Sequence, residues 1–176
     1  VMRKVNVKEV NTEREMDDFV GLTERLYAGS PYYVPDMETD IRETFAPRKN
    51  AGLDFSDIQP FIAYDEHGNA VGRIVGIINH RANKKWHTKN VRFGFVEFID
   101  DKDERWGRER GMDCIQGPMG IFDFDKEGML VEDFDRIGSM VTIYNPPYYP
   151  EHLEALGYEK EVDWVQVSIE VPKDVP

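Results

Sequence analysis

Five carboxylates fall within one eleven-residue stretch: Asp123, Asp125, Glu127, Glu132 and Asp133. Carboxylates this close can share acid–base work or hold a hard cation through oxygen. Here they alternate with Phe122, Phe124, Leu130 and Phe134, a spacing that suits a packed lid loop better than a converging ligand set. Long ordered loops often carry function, so both readings stand. The single cysteine, Cys114, excludes an internal disulfide and any multi-cysteine metal site. It lies in an apolar, strand-like run, which predicts a buried structural thiol rather than a nucleophile. His80 and His87 stand seven residues apart in the basic polar tract HRANKKWHTKN (80–90), with no carboxylate partner inside it. That pattern predicts a solvated loop, and no metal site is expected.

The whole chain limits what such groups can act on. Its 176 residues are enough for one domain with a real core. With 40% hydrophobic and 12% aromatic residues it reads as a folded protein. Twenty-two basic against 34 acidic side chains give a formal charge of −12. That argues against nucleic acid, whose binders need basic faces, and allows attraction of cationic substrates such as amines. No apolar run approaches the roughly 18–20 residues that span a bilayer, so no membrane partner is expected. The start, VMRKVNVKEV, has no apolar signal core and predicts a cytoplasmic protein. The end, PKDVP, reads as a linker, which would make residues 1–176 a single domain and the N-terminal part of a longer protein.

The elements that must position these groups follow from periodicity. Val5 and Val7 suggest a first strand over 2–9. Thr12 and Glu15 form a capping box ahead of Met16, Phe19, Val20, Leu26 and Tyr27, an apolar face at helical spacing that ends at Gly29 and Pro31. A weaker helix is expected near 38–45 and a loop over 46–57. Residues 58–64 and 70–79 are strands joined by the Asp65–Asn69 hairpin connection. In the strand over 91–99, Val91, Phe93 and Phe95 alternate on one face and Val96 and Phe98 on the other. Such a phase change predicts either a β-bulge or a strand buried on both faces. A helical crossover near 103–110, with Trp106 as its one apolar side chain, would lead to a parallel strand at 112–116, ended by Gly117-Pro118. This crossover is shorter than a strand normally needs, which suggests residues missing near 101–104. Further strands are expected at 141–144, 158–161 and 163–171, with a helix over 148–156 capped by Gly157.

This order of elements resembles the GCN5-related N-acetyltransferase (GNAT) superfamily. AYDEHGNAVGRIVGI (63–77) looks like its second and third strands, RFGFVEFIDD (92–101) is similar to its bulged fourth strand, and LEALGYEKEVDW (153–164) looks like its late YEKLGF element. GPMGIFDFDKEGMLVEDFD and YNPPYYPEHLEALGYEK further resemble longer bacterial GNAT-like proteins. The resemblance implies an α/β (α+β) fold, a mixed central sheet of about six to seven strands flanked by helices. It also implies an acyl-CoA-dependent N-acyltransferase that moves an acetyl or other acyl group to a small-molecule or peptide amine.

Site residues follow from the same resemblance. Glu97 is placed as proton acceptor and Tyr148 or Tyr149 as the acid that protonates the departing thiolate. Phe98, Ile99 and Asp100 would meet acetyl-CoA or another acyl-CoA through their backbone, with Asn145 as a polar group near the cofactor. Two departures stand out. The pyrophosphate loop, Gln/Arg-x-x-Gly-x-Gly/Ala, is missing near 101–104, and Leu153 occupies the family's tyrosine position. A non-catalytic GNAT-like ligand-binding or assembly domain is therefore the alternative, acting as a homodimer or against a C-terminal domain.

Overall fold

The computed structural model describes residues 5–97, 109–122, 124–139, 142–167 and 169. Strand β1 (Asn6–Glu9) leads into helix α1 (Glu13–Leu26) and the short α2 (Glu38–Thr44). Strands β2 (Ser56–Tyr64), β3 (Ala70–Asn79) and β4 (Asn90–Glu97) follow, then β5 (Cys114–Gln116) and helix α4 (Tyr149–Ala155). A helix α3 (His80–Trp86) separates β3 from β4. The five strands form one sheet in sequence order, antiparallel from β1 to β4, with β5 parallel to β4. This is the mixed, helix-flanked sheet expected, with fewer strands among the described residues than the six to seven anticipated.

The first helix forms where its cap predicts. Glu15 N–H donates to Thr12 Oγ1 (3.2 Å), and the Glu15 carboxylate accepts from Thr12 N–H (3.0 Å). The apolar stripe then packs on one sheet face, where Val10, Phe19, Val20, Ile41, Ile62, Val75, Ile77 and Ile121 form the main core. Ile78 and Val91 centre a smaller cluster with Phe61, Met112 and Ile115.

The phase change in β4 is a bulge. Arg73 pairs with Glu97 and Val75 with Gly94, so β4 advances three residues while β3 advances two. Phe95 takes up the extra residue at φ 52°, a left-handed conformation uncommon for an aromatic side chain. On the other edge, β5 pairs with Asn90–Arg92 only, and Met119 N–H then donates to Phe93 O (2.7 Å). The crossing is close enough that a Cβ at Gly94 would lie 2.6 Å from Met119 O. Beyond that point, among the described residues, no strand pairs with Phe95, Val96 or Glu97 on the β5 side.

Several expectations are corrected. The tract 80–90 is mainly helix α3, started by Asn79 Oδ1 accepting from Ala82 N–H (2.9 Å) and ended by His87 at φ 55°. A polar helix lacks the apolar period by which helices are read. Cys114 is exposed rather than buried, because β5 lies at the sheet edge. Residues 142–144 and 158–167 form no strand. Alternation marks a segment that could pair, but a strand also needs a partner edge. The crossover predicted near 103–110 lies almost wholly outside the described residues, as do Phe98, Ile99 and Asp100.

Candidate functional site: a buried carboxylate bridged by two tyrosines

The bulge turns Glu97, at the end of β4, into the interior, where it is 9% exposed. Tyr27 caps the end of α1, its N–H donating to Thr23 O. Its hydroxyl donates to Glu97 Oε2 at 2.6 Å. Tyr149 opens α4 and donates its hydroxyl to the same oxygen at 2.9 Å. One carboxylate oxygen thus gathers the end of a strand, the end of one helix and the start of another. Among the described residues Oε1 accepts from no donor.

Arg73 stands opposite Glu97 on β3 and is itself buried. Its Nη1 donates to Phe19 O (2.8 Å), its guanidinium lies 5.0 Å from the Phe19 ring centre, and among the described residues its Nε has no partner. Burial lowers the Arg73 pKa from its usual value, an effect that nearby Glu97 opposes. Tyr33 stacks on Tyr27 with ring centres 4.4 Å apart, and Tyr144 meets Tyr27 edge-on at 5.6 Å. The carboxylate therefore sits in a largely aromatic shell, with one cation nearby.

Desolvation is the largest influence on Glu97 and raises its pKa; Tyr27, Arg73 and Tyr149 pull the other way. Burial, then the negative charge of Glu97, raises Tyr27, Tyr149 and Tyr148 alike, so these phenols keep their protons as donors. A raised folded-state pKa means that ionised Glu97 opposes folding. Its contribution to stability is full below the unfolded-state pKa and is lost as pH rises through the folded one. The melting temperature of wild type relative to Glu97→Gln should therefore fall as pH rises from the ordinary glutamate range, about 4.3. A difference independent of pH would contradict this.

The other expected site residues fall into place unequally. Tyr148 is 45% exposed, with its ring centre 5.2 Å from that of Tyr149. Asn145 is buried, and its amide clamps the preceding loop: Oδ1 accepts from Leu130 N–H (2.7 Å) and Nδ2 donates to Leu130 O (3.1 Å). Among the described residues the acids of 125–133 do not converge, and Asp123 lies outside them. Asp125 caps its own turn by accepting from Ile121 and Phe122 N–H, and Asp133 faces Arg136. Among the described residues no group of three or more His, Cys, Asp or Glu is placed to hold a metal.

Tyr27 and Arg73 were not singled out from the sequence. In the sequence Tyr27 reads as part of the helix's apolar stripe. Arg73 gave a usable signal, as the one charge inside the apolar run AVGRIVGII.

No protein-family model matches the chain. Protein YghO of Escherichia coli (strain K12) is 27% identical over 173 residues, covering 91% of this chain and 44% of that protein. The bacterial ceramide synthase of Caulobacter vibrioides is 26% identical over 182 residues, covering 98% of this chain and 47% of that protein. The chain thus spans about half the length of the curated relatives it matches. A crystal structure of an aminoglycoside acetyltransferase from an uncultured soil metagenomic sample aligns over 94% of this chain and 97% of its own, at 9% identity and a TM-score of 0.48. The order of elements, with a bulged β4 and a parallel β5, is the one that the GNAT resemblance implies for this part of the chain.

Proposed function

We propose that this chain is a GNAT-type acyltransferase domain that moves an acyl group from acyl-CoA to an amine. The observation that carries this reading is the buried Glu97 carboxylate, held by Tyr27 and Tyr149 at the bulged end of β4. The β4 edge beside it, unpaired among the described residues, is where the resemblance puts the extended arm of acyl-CoA. The Caulobacter relative is named for making ceramide. A ceramide is an amide of a fatty acid and a long-chain amino alcohol, so that name is consistent with N-acylation and with an acyl chain longer than acetyl.

In the proposed reaction a neutral amine adds to the thioester carbonyl, the C–N bond forms and the C–S bond breaks. The amine proton passes to Glu97, directly or through water, and Oε1 is the oxygen left to receive it. Tyr27 and Tyr149 hold Oε2 and fix the carboxylate's direction. Because Tyr149 is engaged with Glu97, the half-exposed Tyr148 is the phenol better placed to return a proton to the thiolate. Phe98, Ile99 and Asp100 are assigned to the carbonyl and the cofactor arm by resemblance. Asn145 is assigned near the cofactor by resemblance as well, and its amide clamps Leu130.

A second reading, an assembly domain without catalysis, is favoured by one observation. Trp164, Val165, Val167 and Ile169 are each at least 76% exposed, a surface suited to contact with another polypeptide.

Thermal melting with acetyl-CoA or a long-chain acyl-CoA separates the two. A ligand at 100 times its dissociation constant should stabilise the full chain by about 2.7 kcal/mol. No shift with either would favour the assembly reading.

A further inference from the structure

Residues 80–96 contain no aspartate or glutamate, in a chain that carries a formal charge of −12. The same stretch holds Arg81, Lys84, Lys85, Lys89 and Arg92. Helix α3 carries the first three, and none of its residues is buried. Arg81, Lys84, Lys85 and Lys89 are exposed, and among the described residues none of them forms an ion pair. Between them stands Trp86, 66% exposed, with Lys85 Nζ 4.8 Å from its ring centre.

This corner is held in shape. Asn79 caps the start of α3, the left-handed His87 ends it, and Asn83 ties it to β4 by donating to Asn90 O (2.9 Å) and accepting from Asn90 N–H (3.2 Å). Arg81 lies 4.1 Å over the Phe55 ring. Two described acids contact the corner. Asp57 pairs with His80 (3.0 Å), and Asp113 meets Lys89 through backbone only. Asn79 lies six residue steps along β3 from Arg73, which is opposite Glu97, so the corner lies about 20 Å from the carboxylate along the sheet.

We propose that this corner docks on an anionic lipid surface, with the Trp86 indole at headgroup level and the four exposed cations against lipid phosphates. Indole has an apolar body and one N–H donor, which suits the boundary between headgroups and acyl chains. Juxtamembrane lysines and arginines each add to attraction by anionic lipid, and salt weakens it. Charge complementarity also selects this partner over nucleic acid. A flat lipid surface can touch one corner alone, whereas a polyanion running past it would meet the acidic remainder of the chain. The contact is peripheral, since no described helix is long and apolar enough to cross a membrane. The expectation of no membrane partner rested on the lack of a spanning run, which does not report on a local patch.

Co-sedimentation of the full chain with vesicles tests the proposal. Wild type should pellet at low salt with vesicles of equal parts phosphatidylcholine and phosphatidylglycerol, and should stay in solution with phosphatidylcholine alone. The paired substitution Lys84→Glu and Lys85→Glu should weaken binding by at least about 25-fold, at roughly five-fold for each lysine lost. Trp86→Ala should weaken it further at high salt, where the apolar contact dominates. Wild-type melting temperatures for both variants would show that folding is intact; if either melts lower, Lys89→Glu in the following loop reads the same charge. No pelleting, equal pelleting with neutral vesicles, or pelleting unchanged in the variants would overturn the proposal. So would binding to an oligonucleotide duplex by a wild type that ignores vesicles.

Discussion

Glu97→Gln should slow amine acylation by about 10²–10⁴-fold, the usual worth of a positioned general base. The substitution keeps the shape of the site, because a glutamine oxygen can still accept from Tyr27 and Tyr149, as Oε2 does now at 2.6 and 2.9 Å. It removes only the capacity to take a proton. The loss should therefore appear in kcat, while KM for the acyl donor stays within a few-fold. In wild type the rate should rise with pH as Glu97 ionises, above the ordinary glutamate range because burial raises its pKa. Tyr149→Phe deletes one of the two donors and should raise that pKa further, shifting the profile to higher pH. Steady-state kinetics across pH check both variants; a Glu97→Gln enzyme with full turnover removes the role.

Phe19→Ala should cost about 3–5 kcal/mol of stability, as for other large aromatic truncations in cores. Phe19 is fully buried, meets Phe45 edge-on at 5.6 Å, and lies beneath the Arg73 guanidinium. Its loss would leave a cavity between α1 and the sheet beside a buried cation whose Nε already lacks a partner among the described residues. Against a typical total of about 5–15 kcal/mol, this would leave the chain marginal. Urea unfolding measures it, and a loss under about 1 kcal/mol would show that the site can collapse without strain.

Much of the fold was legible because local rules agreed with tertiary packing. Thr12 and Glu15 announce α1, Asp65–Asn69 closes the β2–β3 hairpin, and the parity change after Phe95 marks the bulge. Helix α3 escaped because it buries no apolar face, so that capping by Asn79 and the left-handed His87 define it. The segment from Tyr158 to Gln166 shows the opposite failure: its alternation is that of a strand, but it forms no ladder with the edge strand β5, which it meets through Gln116 Nε2 donating to Glu161 Oε2 (2.7 Å).

The site was legible in part. Glu97 and Tyr149 were chosen by resemblance, and their meeting across 52 residues of sequence is a tertiary fact that no local pattern encodes. Tyr27 comes from still further away, 70 residues before Glu97. A tyrosine in an apolar helical stripe looks the same whether its hydroxyl meets water or a buried carboxylate.

The most direct test is release of free thiol by the full chain, given a primary amine and either acetyl-CoA or a long-chain acyl-CoA. The account predicts amine-dependent thiol release with at least one donor, an amide product of matching mass, and loss of both in Glu97→Gln. Binding of acyl-CoA with no amine-dependent release from either donor would contradict it.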